Sequence, residues 1–161
     1  MAEAGILAAK KTDQHEGEPT YLYRVKQLEL SIRVRLDQVL RRSKITVVQY
    51  TALTVLRNRD GLTSAQLARR SFVTPQSIAD VVVVLADRGL ILRRDDPTNG
   101  SHRLLFLSGS GRALLRHLDG PVRDIEEQML AALSSSDRDQ FRRNLESCYR
   151  SINGYESTSG Y

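Results

Sequence analysis

With 161 residues, 40% of them hydrophobic, and a single cysteine, the chain has enough apolar material for one core without metal or disulfide support. No apolar run approaches the roughly 20 residues needed to cross a bilayer, and the opening MAEAGILAAKK lacks the apolar stretch of a secretory signal. A cytoplasmic protein is expected, and the lone Cys148 suits a reducing compartment. The formal charge of +5 is unevenly placed: residues 41–107 hold eleven Lys/Arg against five Asp/Glu, the rest thirteen against fourteen. Cations clustered in one stretch are the electrostatic footprint of a polyanion partner such as nucleic acid, although a solvated basic surface gives the same count.

Residues 1–19 show no sustained periodicity and read as a flexible tail. From Thr20 to about Arg42 apolar residues recur every three or four positions (Leu22, Val25, Leu28, Ile32, Leu36, Val39), which predicts an amphipathic helix. Its nearly heptad stripe fits either a core face or a subunit seam. Thr46 is the next N-cap candidate, opening a helix that turns Val48, Leu53 and Leu56 inward and stops before Gly61.

Thr63-Ser64-Ala65-Gln66 has the form of a capping box and opens a helix of about two turns, with Leu67 and Ala68 inward. Ser71-Phe72-Val73 makes a turn. Thr74 then caps a second helix with Pro75 in its first position, where the missing N–H costs nothing. Ile78, Val81, Val82 and Leu85 form the inner face of this helix, and Gly89 ends it. Residues 90–94 and 103–107 read as paired strands, with Asn99-Gly100 as the turn signal between them. A hairpin with Pro, Asn and Gly at its tip is a wing.

Ser108 caps a long helix from about Gly109 to Leu133, striped by Leu115, Leu118, Val122, Ile125, Met129 and Leu133. Gly120-Pro121 predicts a kink or short break in it. Ser134 with Asp137 marks another cap. A last helix carries Phe141, Leu145, Cys148, Tyr149 and Ile152 to about Asn153, and 154–161 read as a second flexible tail. The fold class is therefore mainly α with a small two-stranded β-wing, a winged helix-turn-helix between N- and C-terminal helices.

The segments ITVVQYTALTVL, LTSAQLARRSFVTPQSI, VLADRGLILRRDDP and LLFLSGSGRALL, in this order and spacing, resemble the MarR family of bacterial transcription regulators over roughly residues 20–153. The resemblance implies a homodimer: helices at 20–45 and 108–153 pair two subunits, and 46–107 form the DNA-binding domain. Such a dimer straddles a pseudo-palindromic double-stranded DNA operator, with half-sites about one helical turn apart. It implies a repressor, not an enzyme, with no cofactor, released by a small aromatic or phenolic effector.

On that resemblance, readout falls to the face opening the Thr74 helix: Thr74, Pro75, Gln76, Ser77 and Asp80. Gln76 suits an adenine edge, and Ser77 suits a base or a phosphate. Asp80 is a departure, since relatives often carry a basic residue there and charged ones where Val83 and Val84 stand. An acid at that place reads a cytosine amine or orients an arginine, and the two valines read as buried by neighbouring elements. In the wing, Arg93, Arg94, His102 and Arg103 are the candidate DNA contacts. Asp96, Asn99 and Gly100 shape the hairpin, with Asp96 expected to pair with a wing arginine. The tip holds Asn99-Gly100-Ser101 where relatives commonly have Asp-Arg-Arg.

Ser64 and Gln66 are candidates for the phosphate backbone, whereas Arg69 and Arg70 are as readily a solvated face. The effector is assigned to Tyr23, Arg24, Leu28, Arg33, Tyr50 and Leu53, an arginine serving its carboxylate. Cys148 reads as a small buried hydrophobe. The three histidines have no metal-ligand spacing. Two other readings stand beside the repressor: a redox regulator acting through Cys148, and a winged-helix module that binds protein without sequence-specific DNA readout.

Overall fold

The computed structural model describes residues 18–153; all but the last two residues of the tail expected at 1–19, and the whole of that expected at 154–161, lie outside them. Four hydroxyl caps set out most of the helices. Thr20 Oγ1 accepts from Tyr23 N–H and starts α1 (Tyr21–Arg41). Thr46 and Gln49 form a reciprocal capping box that opens α2 (Val47–Asn58). Thr63 and Gln66 repeat it for α3 (Ser64–Arg70). Thr74 caps α4 (Pro75–Asp87) through Ser77 N–H. In each case the side chain meets backbone donors that the first helical turn leaves without partners.

β1 (Ile91–Asp96) and β2 (Asn99–Leu107) form an antiparallel pair in which Ile91 faces Leu107 and Arg93 faces Leu105. Leu62 adds a bridge to Leu105, its carbonyl accepting from Leu105 N–H at 2.8 Å, so the wing is tied to the chain ahead of α3. α5 (Gly109–Leu130) is capped by Ser108, and α6 (Ser135–Asn153) starts where Ser134 Oγ accepts from Asp137 N–H at 3.3 Å. Gly120-Pro121 does not break α5, which is helical throughout and ends three residues before the expected Leu133. Pro121 removes one backbone donor, and the helix on either side supplies enough bonds to carry the chain across the gap.

The core lies inside the winged domain. Leu53, Leu56, Leu67, Ile78 and Leu85 are fully buried, joined by Leu105 from the wing, Leu115 from α5 and Leu40 at the end of α1. Only the C-terminal end of α1 and the N-terminal half of α5 reach this core. Arg57 binds Asp119 at 2.7 Å and fastens α2 to α5. α6 buries no residue at all. Among the described residues no helix is long and apolar enough to cross a membrane.

Candidate DNA interface and effector groove

α3 and α4 meet at the expected turn. Phe72 takes φ +57°, the left-handed region that L side chains enter at a cost of about 1 kcal/mol or more. It stands 78% exposed there. Thr74, Pro75, Gln76, Ser77, Ala79 and Asp80 are all exposed, while Ile78 between them is fully buried. The 3.6-residue period thus turns one coherent face of α4 outward. Val83 and Val84 extend that face and are 49% and 41% exposed. The expectation that neighbouring elements bury them is wrong, because the inner side of α4 is already filled by Ile78, Val82 and Leu85. At its other end Arg88 donates to the carbonyls of Lys44 (2.6 Å) and Ser43 (3.1 Å), which fixes α4 against the link between α1 and α2.

The wing differs from the sequence expectation in its tip. β1 runs on to Asp96 and β2 begins at Asn99, so the turn residues are Pro97 and Thr98 and the Asn99-Gly100 pair lies on the return strand. Asp96 makes this turn: its Oδ1 accepts from Thr98 N–H at 2.8 Å and from Thr98 Oγ1 at 2.6 Å. An Asx-type turn after which proline presets φ competes directly with the Asn-Gly signal and wins. Asp96 therefore holds Thr98 and not a wing arginine, and Gly100 has no left-handed φ to supply.

It is Asp95 that faces Arg103, at 3.7 Å, both of them well exposed. So long and open a pair holds Arg103 only weakly and leaves it available to phosphate. Arg94 lies over the Phe106 ring, 4.9 Å from its centroid, and is steadied on the outer face of the hairpin. Arg93 and His102 are exposed beside them.

The hydrogen bonds from Thr98 hold the Asp96 carboxyl below its usual range, His102 adding a smaller pull in the same direction. A carboxylate lowered in the folded state contributes its stabilisation above its unfolded pKa and loses it as pH falls through the folded value. Asp96→Ala should therefore free the wing tip at neutral pH. The native tip should loosen only below the ordinary carboxylate range. Amide exchange at Thr98 across a pH series reads both.

At the start of α3, Ser64 is exposed. Gln66 Oε1 is engaged by Thr63 N–H at 3.0 Å, which commits its carbonyl to the cap. Arg69 is exposed and Arg70 half-buried. A residue that sequence reasoning passed over ties these parts together. Asp60 Oδ1 accepts from Leu107 N–H at 2.7 Å, and Oδ2 pairs with Arg112 of α5. One carboxylate thereby joins the end of α2, the foot of the wing and the start of α5. Nothing local marks it, since its partners lie about fifty positions away.

A groove of about 560 Å³ opens between α1, α2, the α3–α4 turn and the junction of α5 with α6. Its walls are Leu28, Ile32, Leu36, Val48, Val73, Met129 and Phe141, with Arg33 and Glu29 on α1 as its charged members. Of the six residues assigned to an effector, Leu28 and Arg33 line this groove. Leu53 does not, being fully buried in the core, and Tyr50 is half-buried against that core. Tyr23 and Arg24 lie on the exposed first turn of α1, outside the groove. α2 instead turns Val47, Val48 and Thr51 to the groove, so Val48 does not join Leu53 and Leu56 in the core as the periodicity predicts. Cys148 is exposed and not buried as expected, since α6 has no layer of this chain over its apolar stripe. Among the described residues no group of His, Cys, Asp and Glu is placed to hold a metal ion.

Comparison with known proteins fits this geometry. The model of the MarR family matches residues 43–100, from the end of α1 to the wing. The HTH-type transcriptional repressor Rv2887 of Mycobacterium tuberculosis is 32% identical over 125 residues, 78% of this chain and 88% of that protein. The crystal structure of Rv2887 in complex with DNA superposes with a TM-score of 0.68 at 27% identity, covering 81% of this chain and 98% of that one. Its complex with p-aminosalicylic acid gives 0.68 at 28% identity, over 81% and 98%. The S. aureus MepR–DNA complex gives 0.74 at 25% identity, over 83% and 99%. Winged fold, outward α4 face and relatives agree: the chain belongs to the MarR family of DNA-binding transcriptional regulators.

Proposed function

We propose that the chain is a homodimeric repressor that binds a pseudo-palindromic operator and lets go when a small aromatic acid or phenol enters the groove. The observation that carries the reading is the outward face of α4, opened by Thr74 and Pro75, in a domain whose wing arginines are also exposed. In this arrangement α4 enters the major groove, where Gln76 and Ser77 meet base edges or phosphate. Arg93, Arg94, His102 and Arg103 follow the backbone alongside, and Ser64 at the start of α3 touches a neighbouring phosphate.

The groove has apolar walls for an aromatic ring and Arg33 for a carboxylate. A ligand there touches α1 and the Phe72 turn together, so it can favour one placement of α4 over another. Release requires that it bind the non-DNA spacing of the two α4 helices more tightly. The relatives solved with DNA and with p-aminosalicylic acid support both halves of this cycle by analogy.

A gel shift with the DNA upstream of the chain's own coding sequence tests the function. A discrete complex that resists random competitor and weakens with added salicylate is expected; equal binding to random DNA at physiological salt overturns it. Arg103→Ala should weaken binding to every sequence alike. It should also reduce the slope of log affinity against log salt by about 1 per subunit, read by fluorescence anisotropy.

A further inference from the structure

The outward face of α4 carries Gln76, Ser77, Ala79, Asp80, Val83 and Val84, and not one cation. Asp80 has Gln76, Ser77, Val83 and Val84 three and four positions away, so no neighbour on its own helix neutralises it. It makes no ion pair with any described residue. A bare carboxylate turned toward DNA is repelled by every phosphate, and phosphate contacts cannot explain a favourable role for it. The major groove rewards an acceptor only at the exocyclic amines, N4 of cytosine and N6 of adenine. Adenine sets the N7 lone pair beside its amine, which opposes the second carboxylate oxygen. Cytosine sets a C–H there instead.

We infer that Asp80 is a specificity-determining residue that accepts a hydrogen bond from the N4 amine of one cytosine in each half-site. The inference rests on the reading of α4 as the major-groove helix. Reach is the physical requirement, because an aspartate is short. The side chains around it supply that reach: Ser77, Ala79 and Val83 are small, so the α4 backbone can settle close to the groove floor. The positive charge needed for affinity then comes from outside α4, from the exposed Arg69 of α3 and Arg93 and Arg103 of the wing. Affinity and readout are thus divided between elements, phosphate contacts placing the helix and an acid choosing a base.

The test is selection from a randomised duplex library with the full chain and with Asp80→Ala, followed by affinity measurements on single-base variants of the selected site. Alanine on an exposed helical position keeps the fold, which a thermal melt verifies. The native chain should require a C·G pair at one position of each half-site, its change to T·A costing about 5- to 150-fold. In Asp80→Ala that position alone should become indifferent, within about two-fold, while preferences elsewhere persist. If the variant shifts affinity by one factor on all sequences, the carboxylate acts by repulsion alone and the inference falls while the operator-binding reading stands. If the native chain selects no sequence, both fall together.

Discussion

Leu22→Glu combined with Ile152→Glu should yield a monomer that keeps its winged domain folded and loses operator affinity by about 10²- to 10⁴-fold. Both side chains are solvent-facing in the single chain, 79% and 80% exposed, so their replacement removes no packing from its core. Their exposure is part of a pattern. Tyr21, Tyr23, Val25 and Val34 are more than half exposed along α1, and Tyr149 is 57% exposed on α6. So many large apolar side chains exposed on two helices are what a surface awaiting a partner shows.

α6 makes the same point through its length. Nineteen residues of helix with no fully buried side chain, Phe141 being half-buried at the groove, have little of the tertiary packing that stabilises most helices. In the proposed homodimer a second copy of the chain, offering the same stripes, would cover α1 and α6 symmetrically and account for both. Two α4 helices joined in that dimer would bind as a linked pair, the second contact made at high effective concentration. Sedimentation reads the mass, and anisotropy on an operator duplex reads the affinity. A double variant that stays dimeric with undiminished binding would place the subunit seam elsewhere.

How much of this was legible in the sequence follows from the range of the interactions involved. Thr46, Thr63, Thr74 and Ser108 announce their helices because a cap joins residues only three positions apart. The wing tip was misplaced by two local signals in competition, and Asp96 with Thr98 prevailed over Asn99-Gly100. Val83, Val84 and Cys148 were read as buried because apolar residues usually are. They are exposed instead, because Ile78, Val82 and Leu85 already fill the inner side of α4 and no layer of this chain covers Cys148 on α6. Periodicity placed Leu53 inward correctly, yet that same burial removes it from any pocket. Asp60, and the contributions of Met129 and Phe141 to the groove, depend on segments distant in sequence, and no local pattern encodes them.

Two glycines of α5 should respond to alanine with opposite signs, and the contrast probes how the winged domain is joined to this helix. A Cβ at Gly111 would lie 2.2 Å from the Leu90 carbonyl oxygen and 2.7 Å from Leu107 Cδ1. The first of these is backbone and is held in place. Leu90 O accepts from Ser108 N–H at 3.1 Å, while Ser108 Oγ donates to Gly89 O at 2.6 Å and accepts from Gly111 N–H at 3.0 Å. To admit the methyl group, the first turn of α5 must lift from the end of α4 and the foot of the wing together. That disturbs the Asp60–Arg112 pair as well.

Overpacking against a fixed backbone costs about 3 kcal/mol, a large fraction of a typical domain's stability. Gly111→Ala should thus lower the melting temperature by roughly 6–12 °C. At Gly120 a Cβ meets nothing within 4 Å. Gly120→Ala exchanges a poor helix former for the best one, partly offset by the crowding of Pro121 Cδ against the new Cβ, and should gain up to about 0.5 kcal/mol. A differential melt of the two variants against the native chain checks both signs. Equal stability at position 111 would mean that α5 does not bear on the Leu90 carbonyl, and the rigid joint between wing and long helix would have to be abandoned.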